Sequence, residues 1–102
     1  MNRQTPQWLD ILEYPFKNCY FKHNGHQFHY IDEGKGENLL FVHGTPSWSF
    51  DFRHLIKGLS NKYRCIAIDH LGFGLSDKPK NGNYSINEHT NNLKALIHHL
   101  RI

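Results

Sequence analysis

Two short runs of this 102-residue chain are continuously apolar, at residues 39–42 and 65–68. Runs without polar alternation are typical of strands that are covered on both faces, as in a parallel sheet. Between them, apolar positions recur with the spacing i, i+3, i+4, i+7, which predicts a helix face made of Phe52, Leu55, Ile56 and Leu59. Gly58 weakens that helix. The pattern therefore predicts a strand–helix–strand unit with a right-handed crossover.

A hairpin is predicted ahead of this unit. Residues 19–23 and 27–32 have the composition of strands, and Asn24-Gly25 lies between them. Asn-Gly is a strong signal for a tight turn because both central residues of that turn need a positive φ. A glycine-containing loop is predicted after the second strand, at residues 33–38.

A second helix is predicted near the end of the chain. Ser85 and Glu88 have the spacing of a capping box, in which the hydroxyl and the carboxylate each satisfy a backbone N–H at the helix start. The apolar residues that follow at helical spacing supply its buried face: Leu93, Leu96, Ile97 and Leu100. The predicted order is β-β-β-α-β-loop-α, which is an α/β fold class.

The first part of the chain is more polar. Residues 1–14 are predicted to be a lead-in and residues 15–102 a partial domain, with Pro15 ending any helix before it. The apolar residues available to anchor the lead-in are Trp8, Leu9, Ile11 and Leu12. The first ten residues contain one Arg and no apolar core, so no signal peptide is predicted.

Composition narrows the class of protein. Apolar residues make up 38% of the chain and aromatics 14%, which favours one small folded domain over disorder. The net charge of +3 comes from basic residues spread along the chain, so an ordinary solvated surface is favoured over a nucleic-acid interface. No apolar stretch approaches the roughly 18 residues of a membrane span. Cys19 and Cys65 are interpreted as reduced thiols of a cytoplasmic protein.

The motif His43-Gly44-Thr45-Pro46 follows the first apolar run directly. Around it, four blocks carry a family resemblance: residues 14–16, 29–34, 41–50 with Arg53, and 65–79. On these blocks, residues 14–102 resemble the N-terminal portion of the haloalkane dehalogenase-like α/β-hydrolases. The resemblance implies the first half of an α/β-hydrolase sheet, which ends before the turn that carries the nucleophile.

The resemblance also implies site residues. The backbone N–H of Thr45 would be one donor of the oxyanion hole, whose second donor follows the nucleophile. Gly44 would allow close backbone approach, and His43 would support the loop. Thr45 and Trp48 would contact substrate, although helix packing is the favoured interpretation of Trp48. Haloalkane dehalogenases often carry Asn or Glu where this chain has Thr45, so the chain departs from the dehalogenase pattern at this position.

The implied chemistry uses a carboxylate nucleophile, a covalent ester intermediate and water activated by a histidine base, with no cofactor. Neither Gly-x-Ser-x-Gly nor Gly-x-Asp-x-Gly occurs in the chain. The chain alone is therefore expected to be inactive and to supply only the oxyanion side of a hydrolase that acts on a small molecule. Two alternatives stay open: a non-catalytic fragment derived from a hydrolase, and an epoxide hydrolase or esterase of the same superfamily.

Several histidines invite other interpretations. His70 lies in a loop that braces the oxyanion loop in the family, and we expect a structural role. His23 and His26 would face each other across the hairpin with His29 further along, but a metal site wants three or four fixed ligands. We therefore expect no metal.

The resemblance raises a question of association. In the family the strand at 39–42 is flanked by the fourth strand and by a fifth that this chain lacks. It would therefore become an apolar sheet edge, which is a hazard for association. The sequence predicts marginal stability and self-association through this strand.

Overall fold

A computed structural model of the chain describes residues 5–102. The strands are β1 (Cys19–His23), β2 (His26–Glu33), β3 (Glu37–Val42) and β4 (Tyr63–Ile68). The α-helices are α1 (Arg53–Leu59) and α2 (Ile86–Leu100), and a 3-10 helix at Ser49–Phe52 precedes α1. The predicted order of elements is confirmed. Residues 1–4 of the predicted lead-in lie outside the described residues.

The four strands form one mixed sheet in the order β1-β2-β4-β3. β1 and β2 are antiparallel and are joined by the predicted turn, in which Asn24 has φ 51° and Gly25 has φ 78°. This turn places His23 directly opposite His26. β2 also pairs antiparallel with β4, whereas β3 pairs parallel with β4, as the predicted crossover requires.

Each face of the sheet is covered by one apolar cluster. β4 divides between them, because successive side chains of a strand point to opposite faces. Cys65 and Ala67 pack with Ile56 of α1, and Ile66 and Ile68 pack with residues of α2 that include Leu96. β4 is therefore the buried centre of the sheet, as its continuous apolar run predicts.

The other apolar run behaves differently. β3 lies at the edge of the sheet, and Leu40 and Val42 are 39% and 45% exposed. The expectation that this run is covered on both faces is wrong, because α2 packs across the far half of the sheet, where it contacts β1.

The predicted face of α1 also needs correction. Ile56 is fully buried, but Leu55 is 52% exposed. Phe52 belongs to the 3-10 helix and not to α1. Phe52 and Leu59 nevertheless pack against the same apolar cluster as Ile56, so the predicted face is confirmed at three positions and wrong only at Leu55.

Helix α2 begins with half of the predicted capping box. The Glu88 N–H donates to Ser85 Oγ at 3.1 Å, as predicted. The Ser85 N–H, however, donates to Asn83 Oδ1 at 3.1 Å. The Asn83 side chain is thus the reciprocal cap that the sequence assigned to Glu88. Leu96 of the predicted apolar face is fully buried.

The described part of the lead-in is anchored mainly by Leu9, which is buried, since Trp8, Ile11 and Leu12 are each more than 60% exposed. Tyr14, next to Pro15, is buried in the same cluster as Ile56. Cys19 and Cys65 are free thiols. Within residues 5–102 no helix combines the length and the apolar character needed to cross a membrane.

Candidate active site

The loop that follows β3, residues 43–48, is held from its first residue. We call it the β3 loop. His43 is buried, and its Nδ1 lies 2.8 Å from the carbonyl oxygen of Gly44. Its Nε2 accepts a hydrogen bond of 2.9 Å from the backbone N–H of His70. Because a backbone N–H only donates, the His43 proton is on Nδ1, where it donates to Gly44.

His70 binds the β3 loop a second time. Its Nε2 lies 3.2 Å from the His43 carbonyl oxygen, and since that oxygen only accepts, Nε2 carries the proton. The lone pair of His70 is then on Nδ1, which is buried and has no hydrogen-bond partner among the described residues. Burial, and then the neighbouring imidazoles of His43 and His89, lower the pKa of His70 to about 4. His70 is therefore neutral near pH 7.

The far end of the β3 loop is held by Asp69. This fully buried carboxylate accepts from the Ser49 N–H at 2.7 Å, the Leu75 N–H at 3.1 Å and His29 Nδ1 at 2.8 Å. Burial alone would raise the pKa of Asp69, but these donors outweigh it and hold that pKa below its usual value. A carboxylate that stays ionised thus fixes where the 3-10 helix begins.

The loop after β4 can approach this carboxylate only because of its glycines. Gly72 and Gly74 have φ of 91° and 56°, in the left-handed region that glycine adopts without steric cost. A Cβ at Gly74 would collide with the Asp69 carboxylate. Ser76 completes the arrangement, since its Oγ donates to the Asp69 carbonyl oxygen at 2.6 Å.

A second layer of contacts lies behind the loop. The Tyr14 hydroxyl is 2.6 Å from Ser49 Oγ, and its ring stacks with those of Trp48 and Phe50. Burial, together with the charge of Asp69, raises the pKa of Tyr14, so the phenol stays protonated. Tyr14 thereby supports the β3 loop from the face of the sheet that α1 covers.

The exposed middle of the loop faces a cavity of about 230 Å³. Its wall includes Val42 at the end of β3, His43 and Thr45 of the loop, His70, and on α2 the residues Ile86, His89 and Leu93. The backbone N–H of Thr45 makes no hydrogen bond to another residue within 5–102. This cavity is smaller than the ~300–1,000 Å³ typical of ligand pockets. Thr45, whose backbone N–H has no partner among the described residues, is part of the lining of this cavity.

The structure separates the other predicted residues. Trp48 is half-buried among aromatic rings and is absent from the wall that Thr45 shares, so its contact with substrate stays a prediction. His29 is buried against Asp69 and Asn18 and turns away from any site shared with His23 and His26. No three metal-ligating side chains converge within residues 5–102.

Sequence reasoning missed two parts of this arrangement. Nothing in the spacing of His89 indicates that its ring packs against that of His70, with ring centroids 4.7 Å apart. The pairing of His29 with Asp69 joins residues 40 positions apart. Only the register of β2 with β4 would have indicated this pair. Tyr30 lies opposite Ile68, so His29 and Asp69, the residues next to them, are brought together.

Comparison with known proteins decides the family. The family model described as alpha/beta hydrolase fold matches residues 37–102. The chain belongs to the alpha/beta hydrolase fold family. The fold class and the haloalkane dehalogenase-like resemblance predicted from the sequence are confirmed.

Individual relatives differ in activity. This α/β-hydrolase chain is 44% identical to a cis-3-alkyl-4-alkyloxetan-2-one decarboxylase of Shewanella oneidensis, over 92% of the chain and 30% of that protein. It is 42% identical to haloalkane dehalogenase 2 of Mycobacterium tuberculosis, over 85% of the chain and 30% of that protein. The structure of an epoxide hydrolase from Vigna radiata matches with a TM-score of 0.79 at 30% identity, covering 88% of this chain and 30% of that one. The chain spans about 30% of the length of the curated relatives named here.

Proposed function

We propose that a polypeptide containing this chain hydrolyses a small organic substrate through a covalent ester intermediate, in the manner of haloalkane dehalogenase-like enzymes. In this proposal the chain supplies the Thr45 N–H as one oxyanion donor. The observation that carries it is that Thr45, whose N–H has no partner among the described residues, lines the cavity on a loop held at both ends by buried hydrogen bonds.

The physical reason is preorganisation. A donor stabilises developing negative charge best when it is already aimed and needs no reorganisation during the reaction. His43 and Asp69 fix the loop by hydrogen bonds. The Asp69 carboxylate is fully buried and does not line the cavity, so its negative charge is kept away from the substrate side. One such donor is worth roughly 2.7–4 kcal/mol of transition-state stabilisation.

The second candidate reaction is the decarboxylation of cyclic esters. The relatives from Shewanella oneidensis and Xanthomonas campestris, at 44% and 42% identity, are named as acting on oxetan-2-ones, which are four-membered lactones. Thr45 favours this candidate over dehalogenation, because a hydroxyl offers less to a leaving halide than the Asn or Glu expected in dehalogenases. Hydrolysis of epoxides or of open-chain esters is the remaining enzymatic alternative.

The first experiment is the intact mass of the natively expressed protein. A mass near 12.1 kDa would favour the non-catalytic alternative, since the chain holds no nucleophile turn. A mass of roughly 30 kDa or more, as expected of a large α/β domain, would support the enzyme. That protein is then assayed for halide release, epoxide opening, ester hydrolysis and carbon dioxide release from oxetan-2-ones. Halide release, epoxide opening or ester hydrolysis would support the proposal, and carbon dioxide release alone would support the second candidate in its place. No turnover in any of the four assays would contradict both.

The role of the loop is tested in the longer protein by replacing Thr45. Thr45→Pro removes the N–H, and we expect kcat to fall about 10²–10³-fold with the substrate found above. Thr45→Val keeps the N–H and removes only the hydroxyl, so it is the matched control and should retain most of kcat. Equal losses in the two variants would rule out the backbone donor. Thr45→Asn should raise halide release relative to ester hydrolysis.

A further inference from the structure

The peptide unit between Gly44 and Thr45 is held by the side chain that precedes it. The carbonyl oxygen of Gly44 accepts a hydrogen bond of 2.8 Å from Nδ1 of His43. The Gly44–Thr45 peptide bond is trans. In a planar trans peptide the C=O and the following N–H point in opposite directions. The bond from His43 therefore fixes the direction of the Thr45 N–H as well as that of the Gly44 carbonyl, and this N–H points away from the His43 ring.

The backbone at Gly44 does not itself select this orientation. Glycine has no Cβ and tolerates both orientations of the peptide that follows it. A Cβ at Gly44 would meet no atom within 4 Å among the described residues, so the glycine is not needed to make room for a neighbour. The side chain of His43 is thus the group that holds the peptide in one of its two orientations.

The tautomer of His43 is imposed by the loop after β4. Nε2 accepts the backbone N–H of His70 at 2.9 Å, which places the proton of the ring on Nδ1. A rotation of the ring by 180° would break both hydrogen bonds. The ring is also packed, since His43 is buried and lies edge-on to Phe73 with centroids 5.6 Å apart. His43 therefore offers its Nδ1–H to Gly44 in one fixed orientation.

We propose that His43 is the positioning residue of the oxyanion donor: it orients the Thr45 N–H through the Gly44 carbonyl, in the tautomer that the His70 N–H imposes. This inference rests on the proposed function, in which the Thr45 N–H stabilises the oxyanion. A donor contributes most when its direction is fixed before the reaction. Loss of the bond to Gly44 should therefore lower kcat and leave KM nearly unchanged, because the donor acts more strongly on the transition state than on bound substrate.

Two substitutions separate the two hydrogen bonds of the His43 ring. In His43→Asn the side-chain amide nitrogen can take the place of Nδ1 and still donate to Gly44. In His43→Gln the side-chain oxygen can take the place of Nε2 and still accept from the His70 N–H, but the donor to Gly44 is lost. We test both in the enzyme and with the substrate identified by the assays above.

We expect His43→Gln to lower kcat by roughly 10–10²-fold with little change in KM, which is part of the cost of removing an oxyanion donor altogether. His43→Asn should retain most of kcat. His54→Gln, at an exposed histidine of α1, is the control and should leave kcat and KM unchanged. A purely structural role in joining the two loops predicts the opposite order, with His43→Gln the more active variant.

Equal losses in His43→Asn and His43→Gln, or the larger loss in His43→Asn, would overturn the proposal. Failure of the proposed function is a different result, in which Thr45→Pro costs no more than Thr45→Val. The positioning role is wrong on its own if Thr45→Pro alone shows the expected loss and His43→Gln retains full kcat.

A measurement without turnover tests the same hydrogen bond. Nitrogen NMR of the isotope-labelled native protein, with His43→Asn used to assign the ring, reports which nitrogen of His43 carries the proton. We expect a proton on Nδ1 that exchanges slowly with solvent, because it is buried and bonded to the Gly44 carbonyl. A proton on Nε2, or fast exchange from Nδ1, would overturn the proposal even in an inactive protein. This spectrum decides if circular dichroism shows that His43→Gln does not fold.

Discussion

At the scale of single residues, Asp69 has the most to lose from substitution. It accepts hydrogen bonds from β2, from the start of the 3-10 helix and from the loop after β4, through His29, Ser49 and Leu75. All of these contacts are buried. Removing one partner from a buried charged network costs more than the network contributes, because the remaining groups are left unpaired.

Asp69→Asn should therefore lower the free energy of unfolding by about 3–5 kcal/mol, since an amide N–H would face donors that now meet a carboxylate oxygen. Urea unfolding followed by circular dichroism measures the change. Asp51→Asn is the matched control, because Asp51 is exposed and bonds only locally to Ser47. It should change stability by no more than about 0.5 kcal/mol. A similar small change in Asp69→Asn would show that the network is not cooperative.

Which residues of the site can be predicted from sequence depends on how local their contacts are. The motif His43-Gly44-Thr45-Pro46 is visible because a loop directly after an apolar strand is a local pattern. The His29–Asp69 pair and the His70–His89 ring contact are not visible, because the first depends on the register of the sheet and the second on how α2 packs. The catalytic role of Thr45 stays a prediction.

At the scale of elements, the start of α2 depends on one side chain. Ser85 Oγ accepts the Glu88 N–H, one of four N–H groups that a helix start leaves without a helical partner. Ser85→Ala should destabilise the chain by about 1 kcal/mol. Ser85→Asp, which also caps and adds a favourable charge at the helix start, should restore stability. Thermal unfolding of the three proteins tests this, and failure of Asp to restore stability would argue against a capping role.

Helix α1 gives a prediction of the opposite sign. Gly58 lies inside the helix and a Cβ there would meet no atom within 4 Å. Gly58→Ala should stabilise the chain by about 0.5–1 kcal/mol, because alanine has the higher helix propensity. Gly34→Ala is the contrasting variant, since Gly34 has φ 89° and its Cβ would collide with the backbone of Ser60 and Tyr63. It should destabilise, and equal effects of the two variants in denaturant unfolding would contradict the reasoning.

The elements themselves were predictable where one period of the pattern extends through them. The hairpin turn, β4 and α2 follow from Asn24-Gly25, a continuous apolar run and a helical repeat. The face of α1 followed at Phe52, Ile56 and Leu59, which pack with one apolar cluster, but not at Leu55, which is 52% exposed.

At the scale of the whole molecule, the sequence predicted the order of elements, the hairpin and, through the family resemblance, that β3 lies beside β4, but not that β2 lies on the other side of β4. That β4 lies between β2 and β3 depends on contacts between residues more than 20 positions apart, such as Leu40 with Ile66. This arrangement decides which apolar strand is covered and which is an edge. It also brings Asp69 and His70, just after β4, against His29 of β2 and His43 of the β3 loop. Both titratable side chains are buried in the fold and become exposed only when the chain unfolds, so their protonation affects the stability of the whole chain.

Their pKa values set the sign of the pH dependence. The pKa of His70 is about 4 in the fold, against an ordinary 6.5, so the unfolded chain takes up a proton between these values while the folded chain does not. Stability therefore falls as pH decreases from about 6.5 to about 4, by on the order of 3 kcal/mol. The pKa of His89 is lowered as well, with burial the main cause, and acts in the same direction. Asp69, whose pKa is lowered from 3.8, extends the loss below about pH 4.

His70→Gln should separate the two steps. A glutamine amide can still donate to the His43 carbonyl but takes up no proton, so the loss of stability between pH 6.5 and 4 should shrink while the loss below pH 4 remains. Urea unfolding at a series of pH values measures the slope. His54→Gln, at an exposed histidine of α1, is the control and should leave the profile of the parent chain unchanged. If His70→Gln keeps the full slope above pH 4, another group causes it, and the burial of a neutral His70 is not what links this fold to pH.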